Sequence, residues 1–540
     1  ETVLLSNGEK IAIKDVKIGD NVLCFNPNTM NTSYTKVINH YIRETDKLLF
    51  KIKTITGREI VATNDHKFMT TEGWKEVEDF VENDTYIGIM PTQSSICSGK
   101  IESILILDEL SFRNKLLDLG IGLSYINKQI EKLTNISMLP LHADDYRLPI
   151  ISRIFGFLLA DGSINIYEKN TKYISCSFSF GTENDVKTFE DDIEHCGFNK
   201  CKYNYSSRHF NGSTHSTFNV THNGCLPALL IALEITFGKK TETKRNAIPC
   251  WIMSGSILVK REFLGGFQGG DGCKIRWNKN KNSKGYNYIC AETSQQINPI
   301  YSYSLQHFIQ QCVDLLCEFG IDCRVQNIVS MDEDRLKVAY KILDKQHNLI
   351  NYYDKIGYRY AFTKNVESFI VVEYLRYKQI CFKEHKSFIK NIREMCDSGK
   401  SNTTIAREVG MPVNKVADIR RSYKNNREIS MHYLKDNTIQ QWKKDIHIIG
   451  GMIFMPITSI SKIENRLVSD ITVESDNHSF IAGDNFLSSN CAQAKQAMGI
   501  YATNFSERMD KTAYVLSYST RPLVDTRVMN LIKLNENPSG

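Results

Sequence analysis

The feature that most limits what this chain can fold into is an internal duplication. Residues 153–164 read RIFGFLLADGSI and residues 261–273 read REFLGGFQGGDGC. Each is an apolar, helix-like run with small residues at close spacing, ending in Asp-Gly. The acidic positions, Asp161 and Asp271, lie 110 residues apart. The segments after the two runs also correspond. Alternating β segments come first (SCSFSFGT and GYNYICAETS), then a helical run ending in a glycine (FEDDIEHCGF and CVDLLCEFGI). Self-similarity of this kind takes precedence over any local reading of the chain. Small residues let two helix backbones pack closely about a pseudo-twofold axis, and Gly156 and Gly266 are the obvious contact positions. At 540 residues the chain has length for about three domains of roughly 150 residues, so the duplication fills only its middle.

The N-terminal stretch is of another kind. Residues 3–25 read VLLSNGEKIAIKDVKIGDNVLCF, short apolar runs broken by Asn7-Gly8 and Gly19-Asp20, a hairpin pattern. Residues 46–62 continue it with β-rich runs around Thr56-Gly57, followed by Thr63-Asn64-Asp65-His66, then Trp74. From the residues alone this is an all-β domain with one notable histidine. Near the other end, residues 466–491 read RLVSDITVESDNHSFIAGDNFLSSNC. Together the two ends resemble an intein, a self-splicing protein insert. The match covers a first block (LLSNGEKIAIKDVKIGDNVL), a second (Thr63 to His66) and a terminal block ending in Asn490-Cys491. Their order and separation fit an intein carrying a large insertion.

The resemblance implies a division of labour. A Cys or Ser at the insert's start attacks its own preceding carbonyl, a step suited to a thiolate. Cys491 takes over the acyl chain, and Asn490 cyclises through its side-chain amide and cuts the chain after itself. His66 polarises or protonates the upstream scissile amide, Thr63 holds that geometry, Asp470 matches the acid of the terminal block, and His478 assists Asn490. Two departures stand out. The starting nucleophile is expected a few residues before Glu1, so the chain reads as an N-terminally incomplete fragment; Cys24, inside a predicted strand, does not replace it. The residue before Asn490 is Ser489 where the family usually has His, so cleavage there is expected to be slow or to lean on His478.

The duplicated middle resembles the LAGLIDADG homing endonucleases, an insertion common in inteins. The resemblance implies that each helix delivers one carboxylate, Asp161 or Asp271, to the same place. Such paired oxygen ligands would hold Mg²⁺ against two phosphates, one per strand, above a saddle of strands covering the DNA groove. Basic residues belong beside the metals. In TKRNAIPCWIM, Asn246 takes the position where lysine is expected, with Lys244 and Arg245 just upstream as substitutes. In DKIGYRYAFTK, Lys355, Arg359 and Lys364 compete, and Lys244 and Lys364 are taken as the pair.

Residues 386–424 carry apolar side chains at helical spacing (Ile405, Val409, Val413, Val416, Ile419), with Gly410 between two helices and Asn402 or Thr403 as a cap. The stretch resembles a helix-turn-helix whose second helix begins near Val413 and offers Asn414, Lys415, Arg420 and Arg421 to DNA. Between Cys381 and Ser430, eleven Lys/Arg stand against six Asp/Glu, a basic patch that favours this contact over a merely solvated hairpin. Residues 491–540 resemble the second-largest subunit of multisubunit DNA-directed RNA polymerases of the eukaryotic or large-DNA-virus type. Lys495-Gln496-Ala497-Met498-Gly499 is the most specific run. The resemblance implies that Lys495 and Lys533 face the nucleotide and RNA end, where lysine suits phosphate as a point charge.

The expected architecture is multidomain: an all-β Hint-type splicing domain split by a pseudo-twofold α+β LAGLIDADG endonuclease with a helical helix-turn-helix module. Its expected parts are 1–93 and 436–490 (splicing), 94–380 (endonuclease, with 95–150 partly helical), 381–435 (helix-turn-helix) and 491–540 (polymerase segment). Composition is that of a globular chain, 41% hydrophobic and 24% charged. No window reaches about 18 consecutive apolar residues, so no membrane partner is expected. Fifteen cysteines without a CxxC pair suit a reducing, intracellular setting, the nucleus or a virus-infected cell or virion. The expected partners are double-stranded DNA at the empty polymerase gene and, after splicing, other RNA polymerase subunits; the insert itself is expected to be a monomer. Mg²⁺ is expected in the endonuclease and in the host polymerase, a nucleotidyltransferase. Two rivals are a splicing-only intein whose decayed endonuclease merely binds DNA, and a stand-alone autoprocessing hydrolase of the same β fold.

Overall fold

A computed structural model describes residues 1–26, 31–93, 101–168, 172–200, 202–210, 213–277, 288–289, 292–343, 345–425, 442–464, 467–475 and 478–489. In the N-terminal part, turn residues cut the chain into short strands. Gly19 and Gly57 sit at φ 100° and 80°, backbone that glycine adopts without strain. The strands are β1 (Thr2–Leu4), β2 (Lys10–Ala12), β3 (Asn21–Asn26), β4 (Asn31–Glu44), β5 (Leu49–Thr54), β6 (Glu59–Thr63), β7 (Lys67–Thr70), β8 (Gly73–Glu76) and β9 (Tyr86–Ile89).

The intervening segment opens with β10 (Leu105–Leu107), α1 (Glu109–Leu117), α2 (Leu123–Asn135) and β11 (Leu141–His142), so the 95–150 stretch is partly helical. The first copy of the duplication is α3 (Leu148–Asp161), β12 (Gly162–Glu168), β13 (Lys172–Phe180), α4 (Glu183–His195), β14 (Lys202–Phe210) and β15 (Ser213–Asn223). After α5 (Cys225–Ala232) and α6 (Cys250–Met253), the second copy runs through α7 (Ile257–Asp271), β16 (Arg276–Trp277), β17 (Tyr288–Ile289), β18 (Glu292–Ile297), α8 (Ser302–Glu318), β19 (Cys323–Val325), β20 (Val329–Ser330) and β21 (Leu336–Ile342). Then come α9 (Gln346–Asn351), α10 (Phe362–Asp397), α11 (Asn402–Glu408) and α12 (Val413–Lys424). The last strands are β22 (His447–Ile449), β23 (Met452–Ile463), β24 (Leu467–Val473), β25 (Ser479–Ala482) and β26 (Phe486–Ser489).

Strands from the two ends of the sequence interleave. One sheet runs β2-β1-β25-β26-β7-β9-β23-β5-β6, with β8 on β7 and β22 on β23, and a second runs β24-β4-β3. The ends therefore complete each other's hydrogen-bond ladders across the whole insertion. Each copy of the duplication adds its own antiparallel sheet, β12-β13-β15-β14 and β18-β21-β19 with β20 on β21.

Helices α3 and α7 cross where the sequence is smallest. A Cβ on Gly156 would lie 2.2 Å from the Phe263 carbonyl oxygen, and one on Gly266 would lie 2.1 Å from that of Arg153. Arg153 and Phe263 are equivalent residues in the two copies, so the crossing is pseudo-twofold at the level of atoms. One apolar core runs from Val3 and Ile52 in the outer sheet to Phe157, Phe267 and Tyr352 in the middle. The end of α10 with α11 and α12 has a separate small core of Ile389, Ile392, Ile405, Ala406, Val416 and Ile419. The cap of α11 is Ser401, whose side chain accepts from the Thr404 N–H, in place of the expected Asn402 or Thr403. Among the described residues no helix is long and apolar enough to cross a membrane.

Candidate active sites

The first site lies where β6, β7 and β26 meet. Thr63 ends β6, and the chain turns tightly, the His66 N–H donating to the Thr63 carbonyl at 3.1 Å. The loop is tied down by Asn64, whose side-chain amide donates to Glu78 at 2.7 Å. His66 then stands 2.6 Å, Nε2 to Oγ, from the buried Ser488 of β26. A strand register supports the contact, since Ser488 pairs with Phe68 on β7. Two positions 422 residues apart are thus joined. Sequence reasoning found His66 and missed Ser488. The available signal was its inward register on a strand of otherwise apolar buried residues (Phe486, Leu487).

Two further residues expected at this site lie on or beside other strands. Asp470 lies on β24 opposite Tyr41 of β4, with its side chain accepting from the Ile471 N–H. His478 is exposed at φ 46°, immediately before β25. Asn490, Cys491, Lys495 and Lys533 lie outside the described residues.

The hairpin β25–β26 is held at its turn. The Gly483 N–H donates to Thr2 at 2.8 Å and the Met90 N–H to Asn485 at 2.8 Å. The Asn485 side chain donates to the Thr92 carbonyl at 2.6 Å. The buried Lys10 donates to Gly483 at 3.2 Å and to the Asn485 side chain.

The second site lies at the C-terminal ends of α3 and α7. Asp161 is exposed and Asp271 half-buried. The packing of Gly270 on Asp161 and Ala160, where a Cβ would meet Ala160 Cβ at 2.4 Å, brings the two ends together. Gln295 of β18 donates to Asp271 and to the Leu159 carbonyl, and Arg245, buried, donates to Gln295 at 2.9 Å. Burial lifts the Asp271 carboxyl to about 6. The Asp161 charge adds to this, and Lys240, the Gln295 bond and Arg245 oppose it. Two lysines cap the helix ends. Lys364 donates to the carbonyls of Gly269, Gly270 and Gly272 at 2.7, 2.9 and 2.8 Å. Lys240 donates to the Ala160 carbonyl, and burial pulls its ammonium down to about 8 against the attraction of Asp271 and Asp161.

Of the two lysines expected beside the acids, Lys364 bonds the end of α7, whereas the lysine that bonds the end of α3 is Lys240 and not Lys244. Lys244 is exposed. Lys240 lies upstream of the stretch TKRNAIPCWIM in which the basic residue was expected. Neither Lys240 nor Gln295 was found from sequence. Gln295 had a signal, a polar residue at a buried position of an alternating strand. Arg359 is engaged elsewhere, bonded through both Nε and Nη2 to Glu262 at 2.8 Å, and Lys355 donates to the Phe319 carbonyl.

In the helical tip, α12 starts at Val413 as expected, and Asn414, Lys415 and Arg421 are exposed on it. Arg420 is corrected. Half-buried, it donates to Cys396 at 3.2 Å and to the Lys400 carbonyl, so it ties α12 to the end of α10 instead of facing outward.

Comparison with known proteins identifies two families along the chain. Residues 2–490 match the intein splicing domain family, and residues 484–540 match domain 6 of RNA polymerase Rpb2. The chain is 28% identical over 513 residues to DNA-directed RNA polymerase subunit Rpo1N of Methanocaldococcus jannaschii, covering 91% of this chain and 34% of that protein. It is 25% identical over 511 residues to the tRNA-splicing ligase RtcB of Pyrococcus furiosus, covering 92% and 48%. DNA-directed RNA polymerase III subunit rpc2 of Dictyostelium discoideum is 32% identical over 209 residues, 36% of this chain and 12% of that one. The chain thus spans half or less of the length of these relatives. Among solved structures, the homing endonuclease I-DmoI in complex with DNA and Ca aligns at 11% identity and TM-score 0.25, covering 39% of this chain and 90% of that one. The Ssp DnaB mini-intein variant M86 aligns at 29% identity and TM-score 0.16, covering 18% and 61%. The match over residues 2–490 carries the assignment: the chain belongs to the intein splicing domain family.

Proposed function

We propose that the insert splices itself out of an RNA polymerase second-largest subunit, and that its middle cuts double-stranded DNA at the uninserted gene. The observation that carries the first part is the 2.6 Å approach of His66 to Ser488. It puts an acid–base side chain from the N-terminal block beside the strand that leads to Asn490-Cys491. In this reading His66 assists breakage of the upstream amide. The Asn490 side-chain nitrogen attacks its own carbonyl carbon, the bond to Cys491 breaks, and the Cys491 amino group leaves with the proton. The products are a cyclised end on Asn490 and a free amine on the downstream segment. No water is consumed, so the upstream product weighs one water less than a hydrolysed one. Lys495 and Lys533 would then serve the joined polymerase, in company with its other subunits and Mg²⁺.

The second part rests on Asp161 and Asp271 at one end of a pseudo-twofold helix pair. Among the described residues no group of three or more His, Cys, Asp and Glu side chains could hold a metal. Two carboxylates completed by phosphate oxygens and water do suit Mg²⁺, which keeps much of its hydration. The raised Asp271 carboxyl fits as well, since a cation would offset the burial, and the lesser Asp161 repulsion, that disfavour its charged form. Bound there, Mg²⁺ would act as a Lewis acid on the scissile phosphates. Lys240 and Lys364 hold the backbone that carries the acids and place positive charge beside it. Asn414, Lys415 and Arg421 would extend the DNA contact.

Two measurements test this. Intact mass of the full chain should show a 491–540 fragment and a cyclised 1–490 partner, and Asn490→Ala should remove both; persistence of the same fragments in that variant would revive an ordinary hydrolase. On a plasmid carrying the uninterrupted polymerase sequence, Asp161→Asn and Asp271→Asn should each lose Mg²⁺-dependent double-strand cutting by at least about a thousandfold while gel-shift binding persists. A parent chain that binds but never cuts would leave a DNA-binding insert only.

A further inference from the structure

Between β9 and β22 the inserted segment sends one carboxylate into the splicing fold. Glu373 of α10 is fully buried. It accepts from Thr56 Oγ1 at 2.6 Å and from Arg58 Nη2 at 2.6 Å. Thr56 and Arg58 lie in the turn joining β5 to β6, and Arg58 is 2% exposed. Helix α10 supplies a second contact, the ring of Phe369, with the guanidinium 4.9 Å from its centroid. The other arm of that guanidinium donates, through Nη1, to the carbonyl of Asp484 at 2.9 Å. Asp484 sits between Gly483 and Asn485, at φ 53° and 71°, in the turn of the β25–β26 hairpin. That hairpin carries Ser488 against His66 and leads to Asn490.

Burial alone would lift the Glu373 carboxyl. Arg58 and Arg376 outweigh it and hold the group below its ordinary range, so it faces Arg58 as a carboxylate. A planar guanidinium can bind a carboxylate with one edge and a carbonyl with the other, which an ammonium on a flexible stem does not reproduce. The chain of contacts therefore runs Glu373, Arg58, Asp484, hairpin, Ser488, His66, and its first member lies outside the strands that form the splicing sheet.

We infer that Glu373, though borne by the inserted segment, is a positioning residue for splicing: through Arg58 it sets the β25–β26 turn and so the placement of the strand leading to the downstream junction. The inference rests on the splicing reading above. Cyclisation by Asn490 depends on attack geometry, where small misplacements cost large factors in rate. A helix of the insert thus takes part in the insert's own excision, and the two halves of the molecule are coupled in chemistry as well as in fold.

The test uses the full chain and follows release of residues 491–540 by intact mass, with thermal unfolding measured in parallel. Glu373→Gln should slow release by roughly tenfold or more. Removing half of a buried pair can also damage the fold, so a double variant separates the two effects. Arg58→Met with Glu373→Leu replaces the pair by apolar groups of similar volume, an exchange that often preserves or raises stability. It should melt within a few degrees of the parent yet release the fragment as slowly as Glu373→Gln. Arg58→Lys, which keeps the charge but not the fork, should also be slow. Parent-rate release by the folded double variant would overturn the inference and leave splicing intact. A parent that releases nothing, with a mass pattern identical to Asn490→Ala, would instead overturn the splicing reading, and this inference with it.

Discussion

At the scale of single residues, the splicing site depends on hydroxyl and ammonium groups whose partners are hundreds of positions away. Ser488 is a close polar neighbour of the His66 ring, and its hydroxyl helps fix which way the imidazole faces. Ser488→Ala should therefore slow splicing several-fold, up to about tenfold, while leaving the melting temperature within a few degrees. A time course of intact masses checks the first and calorimetry the second. Lys10 gives a pH prediction. Burial, and then repulsion by Arg58, pull its ammonium from 10.5 down to about 8. The folded value lies below the unfolded one, so between those limits the unfolded chain binds more protons and stability rises with pH. The charge-burial cost is fully present below about pH 8. From pH 7.5 to 9.5 the parent should gain on the order of 1 kcal/mol relative to Lys10→Met, read from urea unfolding at both values. His66 was legible in the sequence because its block, taken with the terminal block at the other end, carries the resemblance to inteins. Ser488 was not, because a serine in a short run such as FLSS reads as solvent-facing until the strand's register is known. Lys240 escaped because it lies outside the stretch TKRNAIPCWIM in which the basic residue was expected.

At the scale of elements, the helix pair is the best-specified object in the molecule. Asp-Gly after an apolar run, twice, located the ends of α3 and α7, and the small residues located the crossing. Backbone approach at that crossing leaves no room for a methyl group, so Gly266→Ala should cost on the order of 3 kcal/mol through overpacking. Gly181→Ala is the control. It has ordinary backbone and no heavy atom within 4 Å of its would-be Cβ, and should stay within about 0.5 kcal/mol of the parent. Chemical denaturation of the three proteins decides the matter, and equal losses in the two variants would show that the crossing is not the cause. The surroundings of the pair were not legible. Gly269 faces the Arg359 carbonyl, where a Cβ would come within 1.8 Å, and Glu262 of α7 gathers Arg153, Arg261 and Arg359. In the sequence Arg359 read as a candidate for the second basic position, because charge carries no mark of whether it will be paired inside. In the helical tip the same ambiguity misassigned Arg420, whereas the start of α12 near Val413 was legible from the apolar spacing after Gly410.

At the scale of the whole molecule, the order of three short motifs was enough to pair the two ends of the sequence, and the interleaved sheet has that pairing. The sequence did not show how firmly the outer sheet grips the insert, since each link joins residues that look like ordinary surface groups. Ser6 meets His195 at 3.0 Å, Arg261 donates to the Gly8 carbonyl at 2.6 Å, Tyr34 donates to Asp192 at 2.9 Å and Asn365 donates to Pro91 at 2.6 Å. With the Arg58–Glu373 pair and a continuous apolar core, residues 1–490 form one compact unit. Such links favour a common opening, because separating the sheet would strand the buried Arg58, whose carboxylate partner Glu373 lies across the boundary. The sheet and the α3–α7 pair should accordingly exchange amide hydrogens through a common opening, with protection free energies agreeing to within about 1 kcal/mol. Helices α11 and α12 belong to a separate small core joined to the rest through α10, and should open first, by several kcal/mol. Hydrogen exchange read by mass spectrometry resolves all three regions in one experiment. If β25–β26 exchanged early while α3 and α7 stayed protected, the splicing sheet would be an independent unit. The charged links would then be contacts between two stable halves, and removing the insert would cost the sheet little. A shared opening would mean the reverse, that the strands around His66 keep their geometry only while the insert is folded against them.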